Sequence, residues 1–148
     1  MTISLLLLES DESARVAYTR ALRDAGWTVC TAADSTDAYA AAVAQVPDVI
    51  VAGFDDTVRE DRYSLCKRLG AHGSTRHVPI LLTSAAVDQR DLELATTTGV
   101  LALVLESRDV TKLVSAVRGV VAARLKPPAL RVPLDSSKDD ISQKGKPA

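Results

Sequence analysis

Aromatic side chains are scarce. Phe, Trp and Tyr make up 3% of the chain, so any core must be aliphatic, built from Leu, Val, Ile and many Ala. No apolar run approaches the ~20 residues needed to span a bilayer, which excludes a membrane-spanning helix. Excess charge of one sign is also missing. The formal net charge is −1, so no bulk attraction draws the chain to nucleic acid. Cysteines number only 2. Cys30 and Cys66 stand at no metal-ligand spacing and read as buried thiols of a reducing compartment, not as a disulfide framework. The opening Met1-Thr2-Ile3-Ser4-Leu5 has no basic residue and acids follow Leu8 directly. No secretory leader is expected, and the cytoplasm is the expected compartment. His72 and His77 fall in a loop-like stretch, where metal binding is not expected.

The residues that are present alternate between two periods. With 148 residues and 47% hydrophobic composition, the chain suits one domain. Leu5–Leu8 is a continuous apolar run, the signature of a parallel strand covered on both faces. Ala14, Ala17, Tyr18, Ala21, Leu22 and Ala25 follow at helical spacing, and Gly26 is placed to end that helix in a left-handed conformation. Trp27–Ala32 reads as a second strand. Asp34-Ser35-Thr36-Asp37 offers N-caps for an alanine-rich helix to about Val46, stopped by Pro47. Val49–Ala52 is the third strand. Phe54–Arg62 is polar and reads as a loop before a short helix with Leu65, Cys66 and Leu69, ending near Gly70. A loop over Ala71–His77 leads to Pro79 and a fourth strand, Ile80–Thr83. A helix over roughly Asp88 to Thr98, Gly99, a fifth strand Leu101–Leu105 and an amphipathic helix through Leu113, Val117, Val120 and Leu125 complete the pattern.

Residues 1–125 therefore form one domain. Residues 126–148, rich in Pro, Ser, Lys and Asp, have the composition of a disordered or extended tail, too short for a separate DNA-binding output domain. Five strand–helix units with short connections imply an α/β fold, a parallel sheet with helices on both faces. In such folds chemistry gathers beyond the carboxyl ends of the strands. Glu9, Ser10 and Asp11, Gly53 to Asp56, Thr83 and Ser84, and Glu106 with Ser107 should converge there.

Spacing at these tips carries a resemblance. An acid after the first strand, Gly26 after the first helix, Pro47-Asp48 before the third strand, Val78-Pro79 before the fourth, Thr83 at its end and Gly99 before the fifth together resemble the response regulator receiver domain of two-component signalling. The resemblance covers about residues 3–124. It implies a flavodoxin-like, three-layer α/β/α fold, a doubly wound five-stranded sheet of order 2-1-3-4-5. In that family two acids after strand one hold Mg²⁺, an aspartate ending strand three accepts the phosphoryl group, a Thr or Ser ending strand four binds its oxygen, and a lysine ending strand five pairs with it.

Here the pattern is degenerate. Glu9 keeps the first acidic position, but Ser10 takes the second. Gly53 stands at the acceptor position and cannot form an acyl phosphate. Thr83 matches the hydroxyl, while Glu106 replaces the lysine. Two unit charges about 4 Å apart interact by about 4 kcal/mol at an effective dielectric near 20, so a glutamate there would repel a phosphoryl group on that order. The chain resembles a pseudo-receiver, and its Glu9-Ser10-Asp11 turn and Pro47–Tyr63 segment are similar to the pseudo-receiver of a bacterial gliding-motility protein.

The resemblance implies a stand-alone signalling module that acts by protein–protein contact in a bacterial two-component or phosphorelay pathway, without enzymatic activity, cofactor or phosphorylation. Two alternatives stay open. Asp55 could accept a phosphoryl group, with Mg²⁺ weakly held by Glu9, Asp11 and Asp55, although Asp55 would sit about 7 Å beyond Gly53 along an extended strand. The same frame could instead serve as a small-ligand sensor, though no Gly-rich phosphate loop supports it. Ser10 or Asp11 is expected to cap the first helix, and Glu106 has Arg59, Arg62 and Arg108 as possible partners. Leu101 and Leu103 lie on the sheet-edge strand, where an apolar run needs cover. A homodimer or partner interface is therefore expected on the face of the fourth helix, fifth strand and last helix, and no contact with nucleic acid or membrane.

Overall fold

Parallel pairing joins β1 (Ser4–Leu8), β2 (Thr28–Ala32), β3 (Val49–Gly53), β4 (Ile80–Thr83) and β5 (Ala102–Leu105) into one sheet of order β2-β1-β3-β4-β5. The computed structural model describes residues 2–53, 59–84, 102–105 and 109–124. Four helices are described: α1 (Glu12–Asp24), α2 (Ser35–Ala44), α3 (Arg59–Ala71) and α4 (Val110–Arg124). The expected strand order is the one observed. The helix expected over 88–98 and the expected tail lie outside the described residues.

Period-two alternation within the apolar strands supplies two cores. Leu6, Leu8, Ile50, Ala52, Ile80 and Leu82 face one side, against Ala38 and Ala42 of α2 and Tyr63, Leu65, Cys66 and Leu69 of α3. Leu5, Leu7, Val49, Val51 and Leu81 face the other, against Tyr18 and Leu22 of α1 and Leu113, Val117 and Val120 of α4. Each core is aliphatic except for one buried tyrosine, Tyr63 or Tyr18. This double coverage is why the central strands are apolar between their ends.

Local chemistry sets the element ends. The Asp11 carboxylate accepts the Ala14 N–H at 2.8 Å and caps α1, and Asp34 does the same for α2 through the Asp37 N–H at 2.8 Å. Gly26 follows α1 with φ +105°, the left-handed region where a side chain is strained. At the amino ends of the strands, the Asp48 carboxylate accepts the Ser4 N–H at 2.8 Å and the Ser4 hydroxyl at 3.2 Å, while the Asp48 N–H donates to the Ser4 carbonyl at 2.8 Å. This clasp ties the start of β1 to the start of β3 across 44 positions of sequence.

Two expectations need correction. The polar stretch read as a loop through Arg62 is already helical from Arg59. Its Arg-Glu-Asp-Arg sequence shows no apolar period because the side chain it turns inward is an arginine. Cys30 is exposed, not buried. β2 is an edge strand with only Val29 and Ala32 buried, and Cys30 lies on the face of Ala32, which this edge covers only in part. Among the described residues no helix is long and apolar enough to cross a membrane.

Candidate functional site

Register brings three of the expected site residues together. Leu8 pairs with Ala52 across β1 and β3, and Gly53 pairs with Thr83 across β3 and β4. Glu9, Gly53 and Thr83 therefore occupy neighbouring strand tips at the carboxyl edge of the sheet. Glu9 continues the β1–β2 ladder by donating its N–H to the Ala32 carbonyl at 3.1 Å. Its side chain is buried, and Oε2 accepts the Asp11 N–H at 3.1 Å. Thr83 closes β4 and is buried, as is Ser84. Asp55, Asp56, Leu101, Glu106, Ser107 and Arg108 lie outside the described residues, as do the side chains of Arg59 and Leu103.

Arg62 dominates the described part of this edge. It is 1% exposed, and its volume places it among the largest fully buried side chains. Nε donates to the Gly53 carbonyl at 2.9 Å. Nη1 donates to Ser35 Oγ at 3.0 Å and to Asp61 Oδ2 at 2.9 Å, and Nη2 points at Ser10 Oγ at 3.5 Å. Ser35 in turn donates its hydroxyl to Asp61 Oδ2 at 2.5 Å. One guanidinium thus joins the tip of β3, the β1–α1 turn, the start of α2 and the first turn of α3. Arginine suits this role because its planar fork offers five donors and stays charged when desolvated. The carboxyl edge of the sheet thus holds a permanent buried cation, bound to the backbone of Gly53.

One helical turn further along α3, burial pushes the Cys66 thiol up to about 12, although nearby Arg62 lowers it. Thiolate is the reactive form. Iodoacetamide at pH 8 is therefore expected to modify Cys30 alone in the folded protein and both cysteines in urea, as counted by intact mass. Early modification of Cys66 under native conditions would contradict this packing.

Sequence reasoning weighed Arg62 only as a partner for Glu106 and did not single out Ser35 or Asp61. A signal was available. Arg62 precedes Cys66 by four residues and Leu69 by seven, so it falls on the inward stripe of α3. A charged residue on such a stripe is an anchor for buried hydrogen bonds. Asp11, weighed as a weak magnesium ligand, is engaged as the α1 cap. Among the described residues no three His, Cys, Asp or Glu side chains group as a metal site.

This architecture is shared. The chain has the fold of a response regulator receiver domain. Chemotaxis protein CheY4 of Vibrio cholerae superposes with a TM-score of 0.73 at 22% identity, over 81% of this chain and 99% of that one. A putative response regulator from Chloroflexus aurantiacus gives 0.69 at 26% identity, over 82% and 99%. The receiver domain of sensor histidine kinase PA1611 from Pseudomonas aeruginosa, whose structure carries a magnesium ion coordinated in the active site cleft, gives 0.69 at 24% identity, over 82% and 99%. No family model and no curated protein matches the sequence.

Proposed function

We propose that this chain is a pseudo-receiver, a non-enzymatic signalling module that works by protein–protein contact in a two-component-type pathway and uses no aspartyl phosphate. One observation carries the reading. The acceptor position is Gly53, and its carbonyl is held by the buried Arg62 guanidinium at 2.9 Å. The site has no carboxylate there to attack phosphorus.

Among the described residues, the side chains at this edge do not fit the magnesium site that the fold implies. A divalent cation takes hard oxygen ligands, commonly one or two carboxylates. Ser10 replaces the second acid and faces a guanidinium at 3.5 Å. The Asp11 carboxylate caps α1, and Oε2 of Glu9 is engaged with a backbone N–H. Protein partners and self-association remain the natural outputs, through the face that includes edge strand β5. Its place at the sheet edge, beside β4 alone, favours this.

Treatment with acetyl phosphate and Mg²⁺, followed by intact mass, is expected to leave the mass unchanged. A gain of one phosphoryl group that disappears in Asp55→Asn would replace the pseudo-receiver with a phosphoacceptor that uses a displaced aspartate.

A further inference from the structure

Ser10 is exposed, yet its hydroxyl oxygen lies against a guanidinium that is otherwise buried, Arg62 Nη2 at 3.5 Å. A second guanidinium is held one peptide group away. Arg15 Nη1 donates to the Glu9 carbonyl at 2.9 Å, the group joined to the Ser10 nitrogen. The adjoining carboxylates are engaged with backbone, Glu9 Oε2 with the Asp11 N–H and Asp11 Oδ2 with the Ala14 N–H. An accessible hydroxyl against one held arginine, with a second held on the preceding carbonyl, is an arrangement that suits a phosphoserine.

We propose that Ser10 is a phosphorylation site whose phosphoryl group is held by Arg62 and Arg15. The modification is an ester on serine, made by a protein serine kinase from a nucleoside triphosphate, and so goes beyond the pseudo-receiver reading and does not depend on it. The serine oxygen forms a bond to the γ-phosphorus, and the bond from that phosphorus to the β–γ bridging oxygen breaks. The nucleoside diphosphate leaves, and the hydroxyl proton passes to the kinase's base. The product places a phosphoryl group at the carboxyl edge of the sheet without an aspartyl acceptor.

The charges around Ser10 decide whether the group is welcome. Among the described residues, Glu9, Asp11, Glu12 and Asp61 oppose it, and Arg15 and Arg62 favour it. Asp61 already shares Arg62 through Nη1, so the phosphoryl group competes with a carboxylate that is itself 55% exposed. A phosphoryl group carries nearly twice a carboxylate's charge and offers three acceptor oxygens for bidentate pairing, which favours the phosphoryl group in that exchange.

The test uses full-length protein with phosphoserine installed at position 10 during synthesis. Its second phosphate pKa, read by ³¹P NMR titration, is expected to fall by about one pH unit below the phosphoserine value of about 6. The melting temperature should rise by roughly 4 °C over the unmodified protein. Arg62→Gln and Arg15→Gln should each reverse part of the pKa change. The wild-type titration decides the matter even if Arg62→Gln fails to fold. A phosphate pKa at or above its value in urea-unfolded protein, or a lowered melting temperature, would overturn the proposal. Peptide mapping of the chain from its native cell gives the second arm. Phosphorylated Ser10 supports the assignment, and unmodified Ser10 across growth phases overturns it.

Discussion

Arg62→Ala is expected to lower the unfolding free energy by about 3 kcal/mol, read as a shift of the urea midpoint at unchanged slope. The loss has two sources. Removing the side chain deprives the Gly53 carbonyl and Ser35 Oγ of their donor at a buried edge. It also empties the space of a residue 1% exposed. Little comes from the ion pair itself, because the Asp61 partner is 55% exposed and its charge can return to water. Arg62→Met separates the two sources. It keeps most of the packing while leaving the carbonyl unsatisfied, and should cost about half as much. A loss under about 1 kcal/mol in Arg62→Ala would show that the network is ornamental.

Leu82→Ala should be comparably severe, at about 3 kcal/mol. Leu82 is fully buried in β4, between β3 and β5, and packs in the core shared with Ile50, Leu65 and Leu69. Close-packed strands on either side limit the collapse that would refill the gap, so the cavity contribution adds to the lost transfer energy. Thermal unfolding with a matched urea series measures it.

The sequence revealed most of the sheet because its strands are buried on both faces. Runs such as Leu5–Leu8 and Ile80–Leu82 have no other use in a chain of this polarity, and their order followed once the tip residues suggested a known topology. Caps were readable for a similar reason. Asp11 and Asp34 each precede an apolar helical stripe, where a side-chain acceptor for a free N–H is needed. Gly26 was readable because only glycine tolerates its backbone conformation cheaply.

The start of α3 was not readable. Period-based reading looks for apolar residues facing inward, and here hydrogen bonds hold an arginine there. Cys30 misled in the opposite direction. Cysteine is usually buried, but an edge strand is covered only in part. At the candidate site the glycine at position 53 was plain. What fills the edge was not, because Ser10, Ser35 and the Asp61-Arg62 pair are far apart in sequence and share no recognisable spacing.

The clasp between Asp48 and Ser4 sits at the opposite end of the strands from Gly53 and Arg62. It fixes how β1 slides against β3 from the far side, where no chemistry takes place. Sheet alignment is thus decoupled from whatever occupies the other rim. That independence lets a scaffold of this kind hold a glycine and a buried arginine at one rim while every strand stays in register.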